Sequence, residues 1–208
     1  MKHWVFDLDG TLVDSHSVYF DSLRKILKTY EVDLSDSDKA EVLRIAVKDR
    51  PVFFEKKLGT RYAAEALRAF ELCLLSDDQK ISEFSGIPAL LEKLKLQKCK
   101  IGLWTAREMP SAKRVLKHTN LDPFFDFHMS GSCVSVCKPS PEGLIRIAEE
   151  FKCETNALTM VGDHDNDMFA AKACGARAIR AVWNDPNLSK CVISDFKFSE
   201  VESLTSWI

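Results

Sequence analysis

The chain has 208 residues, of which 46% are hydrophobic and 29% charged, and its formal net charge is −2. This length is enough for one large domain, or for a core domain with a small insertion, each with a buried core. The near-neutral charge gives no electrostatic reason to expect a nucleic-acid or membrane-surface partner, and no apolar run in the sequence is long enough to span a bilayer.

The N-terminal sequence enters an apolar segment within its first residues, which leaves no room for the charged and apolar regions of a signal peptide. Seven cysteines without paired C-x-x-C spacing are typical of a reducing compartment. We therefore expect a cytoplasmic protein. The sequence does not decide between a monomer and a homodimer.

The first predicted element is a short apolar strand that ends at Phe6 and is followed by two acids, Asp7 and Asp9. Gly10 then permits a sharp turn. Side chains alternate along an extended segment, so we expect both carboxylates on the same side of the backbone, where they repel each other unless a cation or a proton intervenes. The alternative is an ordinary turn rich in Asp and Gly, and the rest of the chain must decide between the two.

Helical periodicity extends from residue 15 to residue 82. Tyr19, Leu23 and Ile26 mark the apolar face of a first helix, residues 35–38 form the start of a second, and Pro51 breaks or restarts it. This stretch contains no strand pattern. We predict a small helical domain over residues 15–82, inserted directly behind the first strand.

Strands and helices alternate after residue 83. The predicted strands cover residues 100–105, 125–129, 157–161 and 176–183, and helical patterns separate them. This alternation predicts an α/β fold, a Rossmann-like doubly wound parallel sheet built from residues 1–14 and 83–208, with residues 15–82 as a helical cap domain. Ligands of such sheets bind beyond the carboxyl ends of the strands.

Each predicted strand end carries a group that can act on phosphate. In chain order these are Asp7 and Asp9, Thr105, Lys138, and Asp163 with Asp167. Each has an ordinary explanation when taken alone, such as a turn, a helix cap or a surface lysine, but their joint occurrence favours phosphoryl transfer, where positioning and charge neutralisation supply most of the catalysis. A carboxylate can act as the nucleophile, and Asp7, Asp163 and a nearby backbone oxygen form a small oxygen site suited to Mg²⁺.

Four motifs together resemble those of the haloacid dehalogenase (HAD) superfamily. They are Asp7-x-Asp9-Gly10-Thr11, the apolar strand ending at Thr105, Lys138-Pro139, and Gly162-Asp163-x-x-x-Asp167. The segment FDLDGTLVDS, the helical insertion behind it and the segment FSGIP at the return from that insertion are similar to the capped branch that contains phosphoglycolate phosphatases and beta-phosphoglucomutases. The resemblance spans nearly the whole chain and implies a HAD-like core.

The resemblance also implies a role for each motif residue. Asp7 is the expected nucleophile, and Asp9 is the expected acid that protonates the leaving oxygen and later the base that activates water. Thr105 and Lys138 are expected to hold the transferring phosphoryl group. Dehalogenases lack the second acid, so the presence of Asp9 implies an oxygen leaving group.

Mg²⁺ is the cofactor that the resemblance implies. Its expected ligands are the Asp7 carboxylate, the backbone carbonyl of Asp9 and the Asp163 carboxylate. Asp167 would complete the site, either on the metal or through water.

Candidate substrate contacts are Thr11, Arg107 and His164 in or beside the motifs, and Lys48 and Arg50 in the predicted cap. His164 stands where family members usually carry a small polar residue. For Arg107 a surface salt bridge is an equal alternative. For Lys48 and Arg50 the alternative to binding a second anionic group of the substrate is a solvated basic face.

The sequence thus predicts a Mg²⁺-dependent enzyme that hydrolyses small phosphorylated metabolites, with no nucleic-acid or membrane partner. The nearest alternative is a phosphomutase of the beta-phosphoglucomutase type, which passes the phosphoryl group to a sugar hydroxyl instead of water. A signalling phospho-acceptor domain or a noncatalytic binding module is a further alternative, and the helical insertion and the Asp7/Asp9 pair disfavour it.

Overall fold

The computed structural model describes residues 3–42, 49–184 and 193–208. The chain divides into two compact units. The first, here called the core unit, comprises Met1–Asp14 and Ser82–Ile208, and the second, the helical unit, comprises Ser15–Ile81.

The core unit contains a six-stranded sheet in which all neighbouring strands are parallel. The strands are β1 (His3–Phe6), β2 (Ile101–Thr105), β3 (Phe127–Ser130), β4 (Leu158–Gly162), β5 (Arg177–Ala181) and β6 (Phe196–Phe198). Their order is β3-β2-β1-β4-β5-β6, so successive strands progress in opposite directions on the two sides of β1. This topological switch at the carboxyl ends of β1 and β4 is where doubly wound sheets bind ligands.

In the described residues of the core unit, five α-helices surround this sheet. They are α5 (Ile87–Leu96), α6 (Met109–His118), α7 (Glu142–Phe151), α8 (Asp165–Ala173) and α9 (Val201–Trp207). On one face of the sheet, Leu144 and Ile147 of α7 pack in one apolar cluster with Val5 of β1. Phe6 and Val161, which point to the opposite face, are equally buried, so both faces are covered. The predicted doubly wound α/β fold is confirmed.

The helical unit consists, in its described residues, of α1 (Ser15–Lys28), α2 (Asp36–Val42), α3 (Arg50–Leu58) and α4 (Thr60–Asp77). Leu23 and Leu27 of α1 share an apolar core with Phe53 and Phe54 of α3 and with Phe70 of α4. The predicted continuation of the second helix falls on residues 43–48, which lie outside the described part of the chain. None of the helices in the described ranges combines the length and the apolar character needed to cross a membrane.

Candidate active site

Strand β1 brings Asp7 to the carboxyl edge of the sheet. The backbone N–H of Asp7 still donates to the carbonyl of Val161 on β4, at 2.9 Å. One residue later the carbonyl of Leu8 accepts the N–H of Leu12 at 2.9 Å, and Gly10 takes a φ of 76°, which glycine adopts without steric cost. The chain therefore turns back directly after the acidic pair.

A buried lysine bridges two carboxylates at this edge. Lys138 Nζ donates to Asp7 Oδ1 at 2.6 Å and to Asp167 Oδ1 at 2.7 Å, and it lies 5.0 Å from the centroid of the Trp104 ring. Burial lowers the pKa of Lys138, but the charges of Asp167 and Asp7 outweigh it and raise that pKa above its ordinary value. Lys138 is therefore a fixed positive charge against the Asp7 side chain.

The start of helix α7 holds the loop that carries this lysine. The two carboxylate oxygens of Glu142 accept the backbone N–H groups of Ser135 and Val136, at 3.0 and 2.9 Å. Arg146, one turn further along, donates to Glu142 at 2.6 Å and to the carbonyl of Cys133 at 2.7 Å. Three backbone groups of the loop are thus fixed by two side chains of one helix.

Asp7, Asp163 and Asp167 form a cluster in which one carboxylate oxygen from each lies within 4.8 Å of the others. Burial raises the pKa of Asp7 to about 7, and the charge of Asp167 adds to this effect while Lys138 opposes it. Burial and the charges of Asp7 and Asp167 raise the pKa of Asp163 well above its usual range. The cluster therefore carries more negative charge than its surroundings offset, and its three oxygen donors fit a hard divalent cation.

The beginning of α8 fixes Asp167 in this cluster. Asp167 Oδ2 accepts the backbone N–H of His164 at 3.1 Å, while His164 Nδ1 accepts the N–H of Asn166 at 3.2 Å, so the two side chains form a capping box. A Cβ atom at position 162 would lie 2.4 Å from Asp167 Cγ, so Gly162 is the residue that allows this close approach. Burial lowers the pKa of the His164 side chain.

The neighbouring acid Asp165 has another partner. Its carboxylate accepts a hydrogen bond at 2.7 Å from Arg180 of β5, which is buried. The hydroxyl of Thr11 donates to Asp163 Oδ1 at 3.4 Å, and the carbonyl of Thr11 accepts the indole N–H of Trp183 at 3.0 Å. The loop after β1 is thereby tied to the segments that follow β4 and β5.

Asp9 does not share the lysine that binds Asp7. Arg107 Nε donates to Asp9 Oδ2 at 3.1 Å and Arg107 Nη2 to Asp9 Oδ1 at 2.5 Å, a two-pronged ion pair. Arg107 Nη1 donates to Ser111 Oγ, and the backbone N–H of Arg107 donates to Thr105 Oγ1, both at 3.0 Å. Asp9, Arg107 and Thr105 therefore form a second connected group beside the acidic cluster.

The predicted residues of the core unit thus fall into three places. Asp7, Lys138, Asp163 and Asp167 are in mutual contact or within one cluster, Asp9, Thr105 and Arg107 are linked by hydrogen bonds, and Thr11 and His164 border the cluster. Arg50 belongs to the helical unit, where its guanidinium lies 5.4 Å from the Tyr19 ring centroid. Lys48 lies outside the described residues.

Sequence reasoning missed the supporting side chains. The sequence shows Trp104, which lies beneath Lys138, only as part of the apolar strand 100–105, and it shows Glu142 only as an acid at the start of a helical pattern. The spacing of Glu142, four residues after Lys138 and four before Arg146, indicates a helix beginning but carries no sign of its bonds to the preceding loop.

Comparison with known proteins identifies a family and several relatives of this chain. The sequence profile of the family described as haloacid dehalogenase-like hydrolase matches residues 4–181. A phosphoglycolate phosphatase of Aquifex aeolicus is 29% identical over 205 residues, covering 98% of this chain and 95% of the relative. A pyrophosphatase of Bacillus cereus is 25% identical over 180 residues, covering 86% of this chain and 82% of the relative.

Solved structures agree at the level of the fold. A HAD-superfamily hydrolase of subfamily IA from Geobacter sulfurreducens superposes with a TM-score of 0.80 at 22% identity, covering all of this chain and 96% of that one. Because the family profile matches most of the chain, the protein belongs to the haloacid dehalogenase-like hydrolase family.

Proposed function

We propose that this protein is a Mg²⁺-dependent phosphatase that hydrolyses small phosphate esters through an aspartyl phosphate formed on Asp7. The observation that carries the proposal is the contact of Lys138 with Asp7, inside a cluster that also contains Asp163 and Asp167. A nucleophilic carboxylate that attacks an anionic phosphate needs positive charge beside it, and an ammonium group together with a cation site supplies that charge.

In the first step an oxygen of Asp7 attacks phosphorus, the bond from phosphorus to the ester oxygen breaks, and Asp9 gives its proton to the departing oxygen. In the second step a water oxygen attacks the same phosphorus, Asp9 takes the proton of that water, and the bond to Asp7 breaks to release phosphate. Asp9 returns to its protonated form and Asp7 to a carboxylate, so the cycle balances.

The remaining residues hold the phosphoryl group in place. Lys138 would bind a phosphoryl oxygen while remaining against Asp7. Thr105 Oγ1 accepts the N–H of Arg107 with a lone pair, which leaves the hydroxyl proton for a phosphoryl oxygen. Asp7, Asp163 and Asp167 would hold Mg²⁺, which when bound offsets the negative charge of the phosphoryl oxygens.

The relatives support a small phosphorylated substrate, because their names are phosphoglycolate phosphatase and pyrophosphatase. We further propose that Thr11 and His164, which border the cluster, and Arg50 and Lys48 of the predicted cap contribute to substrate binding. The cysteines in the described part of the chain are all free thiols, which supports a cytoplasmic location.

The proposal is tested by phosphate release from a panel that contains phosphoglycolate, sugar phosphates, p-nitrophenyl phosphate and inorganic pyrophosphate. The wild type is compared with Asp7→Asn, each with Mg²⁺ and with EDTA. Asp126→Asn is a matched control, since Asp126 is an acid of the same unit that accepts the N–H of Ile101 and lies apart from the cluster. We expect release only with Mg²⁺, loss of release in Asp7→Asn, and retained release in the control.

Release that survives in Asp7→Asn would contradict the covalent mechanism. If no ester releases phosphate but a sugar phosphate is isomerised, the proposed function would be a phosphomutase instead of a phosphatase. Acid quenching during turnover, followed by mass spectrometry, should place the phosphoryl group on the peptide that contains Asp7.

The predicted cap contacts have a separate test on all good substrates of the panel. Arg50→Ala and Lys48→Ala should raise KM, whereas Lys56→Ala, a cation of the same unit that pairs with Glu41, should not. Unchanged kcat/KM in both variants for every good substrate would refute the contacts.

A further inference from the structure

We propose that Arg107 is a positioning residue that orients the Asp9 carboxyl group for proton transfer to the leaving oxygen. This inference rests on the proposed phosphatase function and assigns Arg107 to the proton-transfer step instead of to substrate binding. It is carried by the geometry of one ion pair and by two hydrogen bonds that hold the arginine.

The pair fixes both oxygens of Asp9. Arg107 reaches them with two nitrogens on the same edge of its guanidinium, at 3.1 and 2.5 Å. A single hydrogen bond would leave the carboxylate free to rotate about its bond to Cβ, but two parallel bonds to a planar group set its plane and its direction. Proton transfer requires such alignment, because the donor oxygen must lie within hydrogen-bond distance of the leaving oxygen.

Arg107 is itself held on two sides. Nη1 donates to Ser111 Oγ on α6, and its backbone N–H donates to Thr105 Oγ1 at the end of β2. Thr105 is the proposed phosphoryl contact and is buried. The position of Asp9 is thereby set relative to Thr105, the residue that would hold the reacting phosphoryl group.

The ion pair differs from an ordinary surface salt bridge. The Arg107 and Asp9 side chains are 19% and 29% exposed, so the pair is mostly removed from water. A fully exposed ion pair contributes little to stability, whereas a partly buried bidentate ion pair keeps a defined geometry. Direct binding of a substrate anion through the same guanidinium edge would require Arg107 to release Asp9.

The dependence of the reaction rate on the leaving group distinguishes positioning of Asp9 from direct substrate binding by Arg107. Departure of an alkyl alkoxide requires protonation, whereas p-nitrophenolate departs without it. The quantity to compare is kcat/KM, because it covers the reaction only as far as cleavage of the ester bond and excludes the later attack of water. We expect Arg107→Met to lower kcat/KM by about 100-fold or more for an alkyl phosphate and by less than about 10-fold for p-nitrophenyl phosphate.

Arg107→Lys keeps a cation but cannot make the bidentate contact with Asp9. Its kcat/KM on the alkyl ester should therefore lie between those of the wild type and Arg107→Met. Ser111→Ala should show the same selectivity as Arg107→Met with a smaller loss, because it removes a hydrogen bond that holds Arg107. Equal losses on both classes of ester in Arg107→Met would overturn the inference in favour of substrate binding or a general structural role, and so would unchanged kinetics.

Asp9→Asn in the same assay distinguishes failure of this inference from failure of the proposed function. If Asp9→Asn shows no leaving-group selectivity, the proposed role of Asp9 itself is wrong. If Asp9→Asn is selective and Arg107→Met is not, only the role of Arg107 is wrong. If both roles are correct, adding Arg107→Met to Asp9→Asn should cost little more than Asp9→Asn alone, since the two residues act on one step.

Discussion

Replacing Asp163 with asparagine should stabilise the protein in EDTA and remove its stabilisation by Mg²⁺. Asp163 is buried, and one of its oxygens lies within 4.8 Å of oxygens from Asp7 and Asp167. Asparagine keeps an oxygen that can accept the Thr11 hydroxyl, which lies 3.4 Å from Asp163. The substitution therefore removes one charge from the cluster with little change of shape.

The magnitude follows from the spacing of the carboxylates. Two unit charges 4.8 Å apart repel each other by about 3 kcal/mol at an effective dielectric constant of about 20. The raised pKa values of Asp7 and Asp163 mean that protonation relieves part of this repulsion. We therefore expect a net stabilisation of about 1–2 kcal/mol, which raises the Tm of a chain of this size by roughly 2–8 °C.

The wild type should respond to the metal instead. Mg²⁺ at about 100 times its Kd stabilises a protein by about 2.7 kcal/mol, or roughly 5–10 °C in Tm. Thermal unfolding followed by circular dichroism, with EDTA and with Mg²⁺, measures both effects. Asp165→Asn is the matched control, because Asp165 lies two residues from Asp163 and binds Arg180. Its Mg²⁺-induced shift should equal that of the wild type.

The reasoning is refuted if Asp163→Asn has a lower Tm than the wild type in EDTA, or if Mg²⁺ shifts both proteins equally. The first result would mean that the charge of Asp163 is already offset in the metal-free protein. The second would mean that the cation does not use this carboxylate.

Two further predictions concern other parts of the chain. Glu142→Ala should lower the Tm and should lower kcat more than it changes KM, because it removes the contacts that hold the loop carrying Lys138. Glu149→Ala, on the exposed side of the same helix, should change neither the Tm nor kcat. Burial tends to raise the pKa of Asp38, but its bonds to Lys57 and to a backbone N–H outweigh this and hold the pKa below its usual range. Asp38→Asn should therefore be less stable than the wild type at pH 7, and urea unfolding should show the difference shrinking as the pH falls from about 4 through the lower folded pKa. An unaltered kcat in Glu142→Ala, or an Asp38→Asn deficit that is constant with pH, would count against the respective contact.

The ends of β1, β2 and β4 could be predicted because these strands are buried along their whole length. In the sequence such strands are continuous apolar runs, and the residue after each run lies at the ligand-binding edge of the sheet. Strand β6 was not predicted, because Phe196–Phe198 is short and two of its three residues are exposed, so it gives no apolar run. It is assigned to the sheet by its pairing with β5 alone.

Local capping at α8 shows a second limit of sequence reasoning. The sequence favours Asp165 as the helix cap, since Asp is a common N-cap residue and His is not. In the structure Arg180 binds Asp165, and His164 takes the capping position together with Asp167. The preference was overridden by an arginine on a strand 15 residues away, which no local pattern reveals.

The two acids of the first motif have different cations because the backbone changes conformation between them. Asp7 retains its ladder hydrogen bond to β4 and faces Lys138, whereas Asp9 follows Leu8, at which the turn begins, and binds Arg107. Lys138 therefore holds the proposed nucleophile, while Arg107 separately sets the orientation of the proposed acid. The proposed mechanism requires this division, because it uses one carboxyl group for attack and the other for proton transfer.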